Sequence, residues 1–156
     1  MTFNASSGTR GARQPGASPI MNWANRRMVN RIRRRGGKLG GVSLLVLNTV
    51  GKKTGAERAN PVSWFPGDDG SWLIVASAAG GARNPAWFYN IAANPDRVSI
   101  DVDRTNIPVS GIQLHGDERD RAWTSITTAA PRFAQYETKT DRLIPIIRLT
   151  RRDERR

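Results

Sequence analysis

The chain has 156 residues, a formal net charge of +12 and no cysteine. This length is typical of one domain with its own core. Without cysteine there can be no disulfide framework, zinc–cysteine cluster, iron–sulfur site or thiol nucleophile, so redox chemistry would depend on a bound cofactor. The first 56 residues hold 11 of the 25 Lys and Arg and no Asp or Glu, so the remaining chain is almost neutral.

The N-terminal part contains two segments. Residues 1–19 are rich in Gly, Ser, Arg and Pro, and we expect a disordered tail. Residues 20–38 predict a basic helix with an apolar stripe that Arg27 and Arg31 interrupt. This helix could attach to an anionic membrane surface, or it could be solvated and pack Trp23 on the domain. The stripe consists of Ile20, Trp23, Ala24, Met28 and Ile32.

No apolar run reaches the length of a membrane span, and the N-terminus lacks the apolar region of a signal peptide. We therefore expect a cytoplasmic protein, at most peripheral on the inner face of the plasma membrane.

Residues 39–150 predict one domain, followed by a charged tail at 151–156. Six strands are expected, at residues 42–48, 58–65, 71–77, 97–103, 107–114 and 143–149. Hairpin turns are expected at residues 66–70 and 104–106, and helices at 85–93 and 117–128. Because no βαβ alternation occurs, the pattern favours a mainly β, α+β fold, a closed six-stranded antiparallel barrel with peripheral helices.

The turn Gly51-Lys52-Lys53-Thr54-Gly55 has the composition of a phosphate site. Its glycines let backbone amides converge, and its lysines and threonine supply charge and a hydroxyl. The spacing is not that of a nucleotide-binding P-loop. The same residues would equally suit an ordinary solvated hairpin.

The segment Ala76–Asn90 combines small residues with three aromatic side chains. Small residues let a flat ring approach the main chain, where amides can bond its heteroatoms. Trp87, Phe88 and Tyr89 could instead form the core face of a short helix.

Three motifs in order resemble the deazaflavin-dependent nitroreductase family, the F420-dependent quinone reductases of actinobacteria. They are TxGxKTGxxRxNP at Thr49–Pro61, ASxxGGAxxNPxWxxN at Ala76–Asn90 and TDRxIP at Thr140–Pro145. The resemblance implies an FMN-binding-like split β-barrel that binds coenzyme F420. It also implies that the reduced deazaflavin passes a hydride to a quinone such as menaquinone, a nitroaromatic or another electron-poor acceptor.

The resemblance also implies roles for individual residues. Lys52, Lys53, Thr54, Gly55 and Arg58 would hold the phosphate and acidic tail. Asn60, Pro61, Ala76 and Ser77 would line the deazaflavin, with Trp87 and Asn90 in the pocket wall. Many relatives have lysine where this chain has Ala78, so Arg83 is expected to assist the tail site.

The substrate pocket implied by the resemblance contains Ser63, Ala130, Phe133 and Tyr136. Since related proteins place several tyrosines there, we expect a less polar and wider pocket in this chain. Ser77 and Tyr136 are the candidates to orient an acceptor oxygen or relay a proton, because each hydroxyl can donate one hydrogen bond. Tyr136 could equally be a packing residue.

Other functions remain open from the sequence. A split barrel could bind FMN through the same turn, and the basic N-terminus could make the protein an anionic-lipid or nucleic-acid binding module. Nucleic acid is not expected as a partner, because the basic residues lie outside the barrel motifs. His115 lies away from these motifs, no metal constellation is present, and the sequence leaves the oligomeric state unknown.

Overall fold

A computed structural model describes residue 3 and residues 7–12, 19–39 and 41–152. Seven strands and four helices lie in this part of the chain. The strands are β1 (Lys38–Leu39), β2 (Val42–Val50), β3 (Glu57–Pro66), β4 (Trp72–Val75), β5 (Val98–Val102), β6 (Thr105–Gln113) and β7 (Ile146–Arg151). The helices are α1 (Pro19–Arg35), α2 (Ala86–Ala93), α3 (Gly116–Ala129) and α4 (Arg132–Lys139).

Six strands form a closed antiparallel barrel in the order β2-β3-β4-β7-β6-β5. Strand β5 pairs back onto β2, with Leu47 opposite Ile100, which closes the sheet. Closure removes unpaired strand edges. The predicted six-stranded barrel is therefore confirmed, and the two-residue strand β1 adds to β2 outside it.

Strand β2 is buried on both faces, which explains its continuous apolar run. Leu45 and Leu47 point into the barrel, and helix α2 closes its core with Phe88. Leu44 and Val46 instead pack beneath α1. Strand β2 therefore connects α1 to the barrel, and its C-terminal end leads into the glycine turn.

Among the strand boundaries that differ from the prediction, two have a clear physical reason. The β5–β6 turn is Asp103-Arg104, with φ of 50° and 63°, so β6 begins at Thr105. Two positive φ values are typical of the two-residue turns that match strand twist. Strand β7 begins at Ile146 and not at residue 143, since Leu143 is exposed and Pro145 has no amide hydrogen to donate.

Helix α1 packs on the barrel through the C-terminal half of the predicted stripe, Met28 and Ile32, together with Val29, which the stripe did not include. Val29 and Ile32 are buried against β2, whereas Ile20 is 77% and Trp23 53% exposed. The Arg27 guanidinium lies 5.0 Å from the centre of the Trp23 ring. The interpretation that Trp23 packs on the domain is therefore wrong. Among the helices of the described ranges, none combines the length and apolarity needed to cross a membrane.

Residues 7–12 form an extended strap, although we placed them in a disordered tail. The Gly8 and Ala12 amides donate to the carbonyls of Ala82 and Gly80, both at 2.8 Å. Asp141 accepts hydrogen bonds from the Thr9 amide, at 2.7 Å, and from the Thr9 hydroxyl. The strap is attached by backbone bonds and one carboxylate, so apolar patterning gave no sign of it.

Candidate functional site

The turn at residues 51–55 joins β2 to β3 and is fixed by Asn90 of α2. The Asn90 Oδ1 accepts a hydrogen bond from the Lys52 amide at 3.0 Å, and its Nδ2 donates to Thr49 Oγ1 at 3.2 Å. Asn90 is buried, whereas the lysine side chains are exposed. Gly55, with φ of +70°, bends the chain back so that its amide donates to the Gly51 carbonyl at 2.9 Å. The turn is therefore preformed, with its cations in solvent.

A groove of about 700 Å³ runs beside this turn. Lys52, Lys53 and Arg58 give its lining three cations, and no carboxylate lines it. Trp87, most of whose side chain is buried in the core, adds aromatic surface to the lining. The other lining residues are Asn22, Gly51, Thr54, Asn60, Ala86, Tyr89 and Asn90. The groove thus combines positive charge with a flat apolar surface.

A second cavity of about 230 Å³ lies on the other side of Trp87, which lines both spaces. It brings together β3, the loop at residues 76–84 and helix α4. Ser77 and Tyr136 both line it. The remaining lining residues are Pro61, Val62, Ser63, Val75, Ala78, Ala79, Pro85, Arg132 and Phe133.

Arg142 holds the loop at residues 76–84 from beneath. Its guanidinium is buried and donates to the carbonyls of Ala76, Ser77 and Gly81 and to Asn84 Oδ1, at 2.7–3.1 Å. Burial lowers the pKa of Arg142 from its ordinary value, and Tyr89 opposes that shift. Arg142 forms no ion pair within the described residues. The buried cation is therefore stabilised by the carbonyls of the loop, and the same hydrogen bonds hold the loop in one conformation.

The same loop has an uncommon backbone conformation at the cavity wall. Ala78, Ala79 and Gly80 have φ of 47°, 52° and 85°. Left-handed non-glycine residues cost free energy and are found where the surrounding structure imposes them. At Gly80, a Cβ would lie 2.9 Å from Lys139 Cβ and 3.1 Å from the Tyr136 carbonyl oxygen. Helix α4 and Arg142 thus fix this loop from two sides.

Arg132 places a guanidinium in the wall of the cavity. Its Nη2 donates to Ser63 Oγ at 3.2 Å, and its Cζ lies 5.3 Å from the centre of the Phe133 ring. The buried Nε has no hydrogen-bond partner within the part of the chain that the structure describes. The cavity therefore contains a cation held by Ser63, which the sequence analysis had not placed there.

Most of the predicted site residues come together in these two spaces, and four do not line either. Ala130 is buried in the core between α3 and α4, and Ala76 is fully buried behind the loop. Arg83 is exposed, and Gly55 shapes the turn. Phe133 and Tyr136 contact each other edge to face, with ring centres 5.5 Å apart.

Sequence reasoning missed Arg132 and Arg142. Arg132 lies four residues before Tyr136 on α4, and this spacing on a helix indicates a shared face. Arg142 belongs to the TDRxIP motif, and its partner Asn84 to the preceding motif, but neither had been given a role. Their partners lie 58–69 residues away, so local patterns do not reveal the contacts.

His115 is exposed at the start of α3, away from both spaces. Within residues 3, 7–12, 19–39 and 41–152, no three His, Asp or Glu side chains are grouped so as to hold a metal ion.

Comparison with known proteins gives the same family that the sequence motifs indicated. The family model described as F420H(2)-dependent quinone reductase matches residues 22–151. An F420H(2)-dependent quinone reductase of Mycobacterium tuberculosis is 34% identical over 110 residues, which cover 69% of this chain and 73% of that protein. A second protein of that organism, named a putative F420H(2)-dependent quinone reductase, is 35% identical over 107 residues, covering 68% and 87%.

Solved structures agree with this assignment. An F420-H2 dependent reductase (FDR-A) superposes with a TM-score of 0.61 at 34% identity, covering 69% of this chain and 93% of that chain. A structure described as a domain-swapped dimer gives a TM-score of 0.62 at 32% identity, covering 84% and 99%. The relatives' names specify F420, so FMN gains no support. The chain belongs to the F420H(2)-dependent quinone reductase family, a family of oxidoreductases with a split β-barrel fold.

Proposed function

We propose that this protein binds coenzyme F420 in the groove and cavity on either side of Trp87, and reduces a quinone there. The observation that carries the proposal is that Trp87 lines both spaces. A groove with three cations and no carboxylate meets, at Trp87, a cavity that contains hydroxyls and a guanidinium.

The residues fit the cofactor's two halves. Lys52, Lys53 and Arg58 supply charge for the phosphate, on a turn that Asn90 holds in place. Pro61, Ser77 and Ala78 have small or flat surfaces that leave room for a ring system.

The bound reduced deazaflavin would supply the hydride, and the protein would orient the acceptor and receive its developing charge. As a quinone accepts a hydride, negative charge grows on its oxygen. The Arg132 guanidinium lines this cavity and is held by Ser63, so it is suited to stabilise that oxygen. Tyr136 and Ser77, whose side chains line the same cavity, are the candidates to donate the proton that completes reduction.

The acceptor we favour is a quinone of the menaquinone class. Its carbonyl oxygens match a single guanidinium beside a hydroxyl, and its apolar ring matches Phe133 and Val62. Nitroaromatics also present oxygens and an electron-poor ring, so they are expected to be slower alternative substrates.

Attachment to a membrane would bring the enzyme to such a lipid-soluble acceptor. Ile20 and Trp23 are exposed near the start of α1, and Arg27, Arg31, Arg34 and Arg35 are exposed along it. We propose that this surface binds anionic lipid on the inner face of the plasma membrane. Trp23→Ala together with Ile20→Ala should reduce sedimentation with anionic vesicles; unchanged sedimentation would exclude this surface.

Steady-state assays test the proposed function. Purified protein is mixed with reduced F420 and a water-soluble menaquinone analogue, and deazaflavin oxidation is followed by absorbance. We expect turnover with F420 and none with reduced FMN or NADPH. Turnover with reduced FMN alone, or tight FMN binding without an F420 response, would contradict the proposal.

A further inference from the structure

A cleft of about 440 Å³ lies beside the C-terminal half of α1, at the opposite end of β2 from the glycine turn. Leu44, in its wall, precedes Gly51 by seven residues, or about 23 Å of extended strand. Gly36, with φ of +70°, ends the helix, and its amide donates to the Ile32 carbonyl at 2.8 Å. The cleft shares no lining residue with either space beside Trp87. It is therefore separate from the site proposed for the cofactor and the acceptor.

One part of the cleft lining is apolar. The side chains of Trp64, on β3, and Met28, on α1, line it and are only half-buried. The buried side chains of Ile32, Leu44 and Val102 complete this part. An aromatic ring with a polar N–H at a partly wet apolar surface is typical of a membrane interface. The cleft thus retains apolar surface that neither the barrel core nor α1 covers.

The other part of the lining is cationic. Arg31, Arg35 and Lys38 are exposed, and none of them forms an ion pair within the described part of the chain. Asp103 is the one carboxylate among the lining residues. The negative end of the helix dipole favours arginine in the last turn of α1, which accounts for Arg35 but not for Arg31 or Lys38. Unpaired cations beside apolar surface are suited to an anionic amphiphile.

A ridge of α1 connects the cleft to the exposed Trp23. Trp23, Arg27, Arg31 and Arg35 follow at steps of four residues, the spacing of one ridge on a helix surface. At about 1.5 Å per residue, this ridge is about 18 Å long. Its last two residues line the cleft. The surface already proposed to meet anionic lipid therefore leads directly to the cleft.

We propose that this cleft binds the headgroup of one anionic phospholipid. The phosphate would lie on Arg31, Arg35 and Lys38, and the glycerol and first acyl carbons against Trp64 and Met28. The inference rests on the proposed function for its choice of partner, and it deepens that proposal by naming a discrete site for a single lipid. A basic surface attracts any anionic membrane, whereas a basic pocket with an apolar wall binds one headgroup.

A soluble short-chain lipid tests the site without a membrane. Dihexanoyl phosphatidylglycerol, below the concentration at which it forms micelles, is titrated into the full-length protein. NMR follows the indole N–H signals, which are assigned from Trp64→Phe and Trp87→Phe. We expect saturable binding that shifts the Trp64 signal and leaves the Trp87 signal in place. A shift of the Trp87 signal alone would place the lipid in the acceptor cavity, and it would overturn the inference, as would the absence of binding.

Two comparison ligands separate the headgroup from its parts. Dihexanoyl phosphatidylcholine has the same chains, but its choline cancels the phosphate charge. Glycerol 3-phosphate has the charge without the acyl chains. We expect each to bind about tenfold more weakly than dihexanoyl phosphatidylglycerol, because each lacks one of the two kinds of contact. Equal affinity for either of them would overturn the inference.

Paired variants locate the charge. Arg31→Gln/Lys38→Gln removes two cations of the cleft and should weaken binding of dihexanoyl phosphatidylglycerol about 30-fold, at roughly fivefold for each basic group. Arg26→Gln/Arg34→Gln removes two exposed cations of α1 that do not line the cleft, so the affinity should change less than about twofold. Equal losses for the two variants would overturn the inference.

The vesicle assay with Ile20→Ala/Trp23→Ala tests the proposed membrane surface separately. Unchanged sedimentation in that variant, with binding of dihexanoyl phosphatidylglycerol retained, would contradict the membrane surface and support the cleft as a lipid site. Reduced sedimentation in that variant, with no binding of the soluble lipid to the unmodified protein, would overturn the cleft site alone.

Discussion

The two loops that flank Trp87 are built in opposite ways. The turn at residues 51–55 keeps its lysines in solvent and is fixed through one asparagine, Asn90. The loop at residues 76–84 has no exposed lysine and is held by the buried guanidinium of Arg142, which makes four hydrogen bonds. A site that binds charge can leave its cations exposed, because the ligand pairs with them. A surface that positions a ring must be rigid before the ligand arrives.

This comparison predicts that the largest loss of stability follows from removing the guanidinium of Arg142, which holds the loop at residues 76–84. Arg142→Met would remove one donor from each of three carbonyls and from the Asn84 side chain. We expect the free energy of unfolding to fall by about 3 kcal/mol, since a buried group without its partner costs about 1–3 kcal/mol. Urea denaturation measures it. Arg121→Met, at an exposed site on α3, is the control, and equal losses for both variants would disprove the bracing role.

The guanidinium in the cavity should affect turnover more than folding. For Arg132→Met we expect roughly a 100-fold lower kcat with the quinone, a loss typical of removing one donor from a developing oxyanion. Affinity for F420 should remain within about twofold. Stopped-flow oxidation of reduced F420 separates the two quantities. If kcat were unchanged, Arg132 would not contact the acceptor's oxygen.

Removing the Asn90 side chain, which fixes the turn at residues 51–55, should have a smaller effect on cofactor binding. Only one backbone amide of the turn, that of Lys52, is bonded to it. Asn90→Leu removes the acceptor of the Lys52 amide and the donor to Thr49. We expect about tenfold weaker binding of F420, equivalent to the loss of one hydrogen bond. The deazaflavin head without phosphate serves as the ligand control. An equal loss for that head would mean that Asn90 supports the ring site instead.

The smallest effect should come from the strap at residues 7–12. Hydrogen bonds from the Thr9 side chain and the Arg10 amide lower the pKa of Asp141 from 3.8 to about 2. Because the bound pKa lies below the ordinary one, the attachment is complete above about pH 4 and is lost as the pH falls toward 2.

Hydrogen exchange of the strap amides tests this dependence. We expect their protection to decrease over that pH window, and Asp141→Asn to abolish it at neutral pH. The barrel amides should remain protected in the variant. Protection of residues 7–12 that persists in Asp141→Asn would show that the backbone bonds to Ala82 and Gly80 suffice.

The local features of the fold could be predicted from the sequence. Alternation and turn residues predict the strands, because a half-buried sheet and a tight turn impose their patterns on neighbouring residues. The glycine turn was identified for the same reason. The hairpin at Asp103-Arg104 was misplaced by one or two residues, since neither residue is a glycine and φ cannot be read from the letters.

Contacts between distant segments could not be predicted in this way. Arg142 reaches residues about 60 positions earlier, and Arg132 bonds Ser63 across the barrel. Residues 7–12 have no apolar pattern, and their bonds to Asp141 follow from folding of the rest. The apolar stripe of α1 was correct only in its C-terminal half: Ile20 and Trp23 are exposed, whereas Val29, which was left out of the stripe, is buried beside Ile32.

The most direct test of the account is binding of F420 to the variant Lys52→Gln/Lys53→Gln. Two exposed cations would be lost from a turn whose backbone is held by Asn90, so folding should be unchanged. We predict about 100-fold weaker binding of the phosphate-bearing cofactor, from two charge-assisted contacts. Affinity for the deazaflavin head alone should be unaffected. Wild-type affinity for F420 in this variant would mean that the phosphate binds elsewhere and would contradict the account.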